Sequence, residues 1–211
     1  MKRFSVLSLV VGVAMIFSTV GFGCKKAEQP SEPPKSVEQA QSSAAPAAGE
    51  ELKVTSGTLE KGGLGYILTS DKDKAAVAMK KLDTPFKNIM KVKGQMKSTL
   101  PSGVRNGFIA FIGDLGNKNQ QFAKAGILIG RKMYTIDGAF VGKVEKPVKF
   151  EPGKVFDFEL TVNLKEKTVN FNVDGQNVKT KMTSTPVSIT RVGFAASNTK
   201  TEFSDLQISG N

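Results

Sequence analysis

The stretch 155–182, VFDFELTVNLKEKTVNFNVDGQNVKTKM, constrains the fold more than any other part of the chain. Phe156, Phe158, Leu160 and Val162 alternate with Asp157, Glu159 and Thr161, and Val169, Phe171 and Val173 alternate with Asn170 and Asn172. A period of two puts one set of side chains on a buried face and the other in water, which predicts strands over 154–164 and 168–173. Asp174-Gly175 supplies two residues that tolerate positive φ, the requirement of a two-residue hairpin turn, and 176–182 follows as a third strand. That turn pairs Phe171 with Val178, Asn172 with Asn177 and Asn170 with Lys179. The reversal at Lys165-Glu166 pairs Phe158 with Val173, Leu160 with Phe171 and Val162 with Val169. Both registers set apolar residues opposite apolar ones, so each supports the other. The remaining face carries Glu159 beside Asn172 beside Asn177, and Thr161 beside Asn170 beside Lys179. Such a grid of amides, a hydroxyl and charges can bond sugar hydroxyls, and it is also what an ordinary solvated face carries.

The same texture of short apolar runs between Gly, Asn, Asp and Pro begins at Lys53 and runs to the end of the chain. It predicts further strands over 54–60, 66–70, 75–80, 86–97, 107–113, 122–130, 133–136, 139–144, 188–196 and 201–209. The runs 107–113 and 125–130 are apolar on both faces and are expected as central strands covered on both sides. Segment 72–82 also suits a 3.6 period through Ala75, Ala76, Ala78, Met79 and Leu82, which leaves a short helix open there. About a dozen strands in roughly 160 residues fit two packed antiparallel sheets, so the expected class is an all-β sandwich.

Composition removes many activities. The 211 residues include one Cys and no His or Trp. An intrachain disulfide, a Cys/His zinc site, covalent c-type haem and a His-based catalytic triad are therefore excluded, and no cofactor is called for. The five methionines Met79, Met90, Met96, Met133 and Met182 are spread too widely along the chain for a copper site. The net charge is +11, and residues 53–211 carry 25 basic against 14 acidic residues. That excess invites an acidic partner, a glycan or a protein, or serves solubility alone. Lysine accounts for it almost entirely, since Arg105, Arg131 and Arg191 are the only arginines in this region. Lysine is a hydrated point charge, whereas bidentate recognition of carboxylate or phosphate favours arginine.

Residues 1–23 begin with Lys2 and Arg3, continue through an apolar run and end in small residues before the sole cysteine, Cys24. This is the layout of a secretory signal, with an uncleaved anchor helix as the alternative. Ending on cysteine, it resembles the signal of bacterial lipoproteins, in which that cysteine becomes the acylated first residue. Gly23 fits that signal, and Gly21 stands where a branched aliphatic is usual. The resemblance implies attachment to a membrane of the bacterial cell envelope through lipid on Cys24. Lys25, where sorting signals of that family carry Asp, implies the outer membrane in a host that has one. Such a compartment excludes nucleic acid as a partner. Residues 24–52 are rich in Pro, Glu, Gln, Ser and Ala and bury too little to offset their ordering entropy. They read as a tether, roughly 30 Å across as a flexible coil. The folded domain is then 53–211.

FEPGKVFDFELTVNLKEKTVNFNVDGQNV, SITRVGFAASN and TEFSDLQISG look like the closing strands of the concanavalin A-like jelly roll, the superfamily of legume lectins and laminin G-like modules. The resemblance implies a jelly-roll sandwich and a leaning toward glycans. Under it, Glu159, Thr161, Asn170, Asn172, Asn177 and Lys179 are the candidate glycan contacts, with Tyr66 as a stacking platform. Hydrolases of the superfamily carry Glu-x-Asp-x-x-Glu on one strand, which is absent here. The nearest match, Asp157-x-Glu159, supplies two acids, and a retaining glycosidase needs two carboxyls about 5 to 5.5 Å apart. Asp114, Asn117, Asn119 and Gln120 could hold Ca²⁺ as lectin loops do, or simply form a turn. Three functions follow: a non-catalytic module for a glycan, an anionic one on the charge of the domain; a subunit that docks an acidic protein; and a glycosidase. Mass spectrometry of the mature N-terminus is expected to find an acylated Cys24, and an intact Met1 would overturn the lipoprotein reading.

Overall fold

The computed structural model describes residues 51–71, 74–98, 106–149, 151, 153–198 and 200–211. The signal-like segment, Cys24 and nearly all of the tether lie outside the described residues. In chain order the first strands are β1 (Lys53–Ser56), β2 (Thr58–Lys61), β3 (Gly65–Thr69), β4 (Ala75–Phe86), β5 (Ile89–Ser98), β6 (Asn106–Asp114) and β7 (Gln120–Leu128). A single 3-10 turn at Ile129–Arg131 leads to β8 (Met133–Gly138), β9 (Val141–Pro147), β10 (Val155–Asn163), β11 (Thr168–Val173) and β12 (Gln176–Lys181). The last are β13 (Ser188–Ser197), β14 (Lys200–Ser204) and β15 (Gln207–Gly210). They form two antiparallel sheets. One has the order β1-β4-β13-β6-β7-β8-β9, and the other β12-β11-β10-β5-β14-β3-β2, with β15 also on β5.

The register read from the sequence is the one that forms. Phe158 faces Val173, Leu160 faces Phe171 and Val162 faces Val169 across β10 and β11. Asn170 faces Lys179, Phe171 faces Val178 and Asn172 faces Asn177 across β11 and β12. The turn between the latter pair holds Asp174 at φ 46° and Gly175 at φ 78°, both in the left-handed region. Phe156, Phe158, Leu160, Val162, Val169, Phe171, Val173 and Val178 are all buried. The inner faces of the two sheets meet through aromatic pairs. Phe194 stacks on Phe203 at 4.3 Å between centroids, and Tyr134 stands edge-on to Phe171 at 6.4 Å. Large aromatics bury the most apolar area per residue, and contacts of this geometry add to that burial.

Four sequence expectations change. The strand expected at 54–60 is two strands, because Gly57 at φ 78° turns the chain from the edge of one sheet to the edge of the other. Segment 86–97 breaks at Lys87-Asn88, leaving Phe86 as the end of β4 and Ile89 as the start of β5. Segment 201–209 divides into β14 and β15, which share β5 as partner. The helix left open over 72–82 does not form in the described part of that segment. There Ala76 and Ala78 point into the core while Val77 and Met79 join a second cluster on the other side of the sheet. Small alanines suit either period, and pairing with both β1 and β13 decides for the strand.

The sandwich is closed at both lateral edges. At one, the chain crosses at Gly57. At the other, Val141 bridges Met182, and Lys146 Nζ donates to the carbonyl of Asn177 at 3.1 Å. A Cβ at Gly57 would collide with the Ala76 side chain and the Thr69 carbonyl. Gly57→Ala, which adds this clash to positive-φ strain, is expected to cost about 2 kcal/mol or more, read as a lower urea midpoint.

Burial, and then the charge of Asp174, push the pKa of Tyr134 up to about 12 from 10.0. The folded state therefore holds the phenolic proton more tightly than the unfolded chain does. This contribution to stability is fully present below pH 10 and is lost as pH rises toward 12. Its size is on the order of 2 to 3 kcal/mol. The urea midpoint is expected to fall across that window, and Tyr134→Phe should flatten the fall while leaving other alkaline titrations in place.

Candidate functional site

The sequence-derived grid forms on the outer face of the eight-stranded sheet. One row reads Asn177, Asn172, Glu159 and Lys93, and the next Lys179, Asn170, Thr161 and Lys91. The lysines come from β5, far away in sequence, and they change the chemistry. Lys93 Nζ pairs with Glu159 Oε2 at 3.1 Å, so this carboxylate is already matched. Asp157, the other acid of the pair, accepts from Gln95 Nε2 at 2.9 Å. Asn170 Oδ1 is buried without a hydrogen-bond partner. Tyr66 does not join this face. It pairs with Phe203 across β14 and β3, packs on Phe194 at 6.0 Å, and carries Lys61 Nζ 4.0 Å from its ring centroid.

A cleft of about 500 Å³ opens beside the grid, lined by Lys93, Gln95, Asp157, Asp205 and Gln207 among others. Its cause is local. Where the neighbour of β5 changes from β15 to β14, the Gln95 amide lacks a strand partner and donates instead to Ser204 Oγ at 2.8 Å.

The outer face of the seven-stranded sheet is different. Phe108, Ala110, Met79 and Ala195 are buried there, with Val77, Ile112, Phe122 and Leu128 packed around them. The sequence expectation that β6 and β7 are central and apolar on both faces holds. Among the described residues, however, no third layer covers this face. Side chains of the sheet itself do so in part, as when Lys124 lays its ammonium 4.6 Å from the Phe108 centroid.

Across this face runs a groove of about 480 Å³, lined by Val77, Met79, Ile112 and Phe122 together with Thr55, Lys53, Lys81 and Arg191. Among the described residues no carboxylate lines it. Its floor is shallow where Gly193 stands opposite Met79 on one side and Ala110 on the other. Arg191 lies directly opposite Lys81, and like charges in that position repel. A β-bulge between Ile189 and Arg191 brings this about, since the extra residue, Thr190, resets which side chains face outward. The contrast with Arg131 is instructive. That guanidinium grips Glu145 with both terminal nitrogens, at 3.0 and 2.7 Å. Glu145 also accepts from Lys143, and that bond first, with the Arg131 charge, holds its pKa below the usual carboxylate value.

Asp114, Asn117, Asn119 and Gln120 are drawn into a turn. Asp114 Oδ1 accepts from the Gly116 amide at 2.8 Å, Asn117 and Lys118 adopt φ 53° and 60°, and Asn119 Oδ1 accepts from Gln121 Nε2 at 2.7 Å. Among the described residues no three His, Cys, Asp or Glu side chains are gathered as a metal would require.

No protein-family model and no curated protein matches this sequence. Solved structures do match in fold. The carbohydrate-binding module CBM66 from Bacillus subtilis superposes with a TM-score of 0.59 at 10% identity, covering 77% of this chain and 98% of its own. The fold is a two-sheet antiparallel jelly-roll sandwich. The apo Crh5 transglycosylase gives 0.55 at 13% identity over 76% of this chain and 79% of its own. A protein of unknown function with a galectin-like fold from Bacillus subtilis gives 0.53 at 10% identity over 74% and 88%. At such identity the likeness extends to architecture alone.

Proposed function

We propose that this chain is a bacterial envelope lipoprotein, anchored through Cys24, whose jelly roll is a non-catalytic module for an anionic glycan. The observation that carries the reading is the groove on the seven-stranded sheet. Its cations Lys81 and Arg191 face each other with no acid between them, above an apolar floor. Pyranose rings present apolar C–H faces, and acidic sugars add carboxylates. A ring lying on Phe122, Ile112 and Met79 would place its carboxylate between Arg191 and Lys81 and relieve their repulsion. Arg191 supplies the forked donor that such recognition favours. The fold shared with a carbohydrate-binding module supports the class of ligand. The Asn-rich face on the eight-stranded sheet is the competing location. There Glu159 is neutralised by Lys93, and the surface offers hydrogen bonds to a neutral sugar.

A glycan array probed with the protein at low and high salt decides between these. Acidic glycans are expected to bind, more weakly as salt rises. The double variant Lys81→Gln, Arg191→Gln should weaken binding about tenfold or more, since bonds to charged groups contribute about 1.5 to 3 kcal/mol each. Asn172→Ala with Asn177→Ala should leave it within about twofold, inside the usual range of surface substitutions. The opposite pattern moves the site to the eight-stranded sheet. Absence of binding at low salt, with retention of an acidic protein in its place, would replace the glycan reading by a docking one.

A further inference from the structure

One end of the eight-stranded sheet gathers six lysines around a single acidic side chain, Glu166. Lys179 begins a row that runs through Asn170 and Thr161 to Lys91 and on to Ser209, and Lys181 begins the next row, through Thr168 and Asn163. Beyond that row lie two turns, one carrying Lys165 and Lys167 and the other Lys87. Backbone bonds hold the turns to the sheet end and to each other. The Leu164 amide donates to the Asn88 carbonyl at 2.7 Å, and the Met182 amide to the Lys167 carbonyl at 2.8 Å. All six lysines are exposed, and none is ion-paired among the described residues. Glu166 is the only acidic side chain in these rows and turns, and the Asn88 and Ile89 amides donate to the carbonyl of Asn211 at 3.0 and 3.1 Å.

The rest of the same face is arranged otherwise. Lys93 stands opposite Glu159, and Lys97 opposite Glu202. At the lysine end the positions opposite Lys179, Lys91 and Lys181 hold Asn170, Thr161, Ser209 and Thr168, which cannot neutralise a cation. Six like charges kept close together weaken the fold through mutual repulsion, and an external anion removes that cost. The nature of the cations indicates which anion. Lysines are hydrated point charges on flexible stems, without the fork that fixes one carboxylate or phosphate, and no groove lines up with them. Independent point charges suit anionic groups that can move to meet them.

We infer that this lysine end is a docking surface for anionic lipid headgroups, separate from the groove and independent of the glycan reading. Headgroups diffuse laterally and adjust to the lysine spacing. Each lysine near such a surface is worth about a fivefold gain in binding, and the gain disappears beyond a Debye length. The surface is polar throughout, so contact is peripheral rather than inserted.

Lysine labelling read by mass spectrometry tests this on the 211-residue chain reconstituted into phosphatidylcholine vesicles, with or without one third phosphatidylglycerol. At low salt, phosphatidylglycerol should cut labelling of Lys87, Lys91, Lys165, Lys167, Lys179 and Lys181 several-fold, and high salt should restore it. Lys53, Lys81 and Lys124 on the other sheet should label alike in both vesicles. In a Lys165→Gln, Lys167→Gln, Lys181→Gln variant, protection of Lys87, Lys91 and Lys179 should largely vanish while its circular dichroism stays unchanged. Equal labelling in the two vesicles overturns the inference. So does protection by soluble polyglutamate in the absence of any by phosphatidylglycerol, or protection centred on Lys53, Lys81 and Lys124.

Discussion

A slip of one residue between β10 and β11 would turn Phe158, Leu160, Phe171 and Val173 out into water and bring Glu159, Asn170 and Asn172 into the core. The cost of that exchange fixes the register, and the register fixes much else. It sets the inner ring of aromatics that joins the two sheets, and it sets every row of the outer polar face. β5 inherits the same alignment from β10, which is how Lys93 comes to stand against Glu159. The interior and the chemistry of one surface are thus two consequences of a single period.

The two outer faces are chemically unlike for a structural reason. On the eight-stranded sheet the alternation is strict, so the outward positions are nearly all polar. On the seven-stranded sheet β6 and β13 are buried on both sides, and their outward positions are small or apolar: Ala110, Ala195, Gly193, Phe108. Charges reach that face from its flanks and through the bulge on β13. A bulge interrupts pairing and is tolerated where it serves to re-aim a side chain. Here the re-aimed side chain is Arg191.

What could be read from the sequence was what local rules govern. Asp174-Gly175 names its own turn, and two adjacent hairpins then give three strands in register. The order of strands brought together from distant parts of the chain is not local. Nothing near Glu159 announces Lys93, some 66 positions away, and nothing near Lys81 announces Arg191. Tyr66 opens a strand as its sequence suggests, but the partner it packs on, Phe194, lies on the other sheet and far along the chain, so nothing local tells which face the ring takes. The bulge left a trace that alternation alone overlooks. Ile189 and Val192 both enter the core between the sheets, a step of three, and Phe194 and Ala196 follow in steps of two. The crossing at Gly57 is hidden for a related reason, since Val54 to Glu60 reads as one run and only the φ of Gly57 shows that the run serves two sheets.

That crossing also has a mechanical side. Force entering the domain at residue 51 first meets β1, a strand of four residues paired, among the described residues, with β4 alone. Peeling it away breaks few bonds and leaves the core covered. At Gly57 the load passes to β2, which belongs to the opposite sheet, so further extension has to open a second ladder instead of running along the first. A domain held through this end therefore has a short compliant lead followed by a stop.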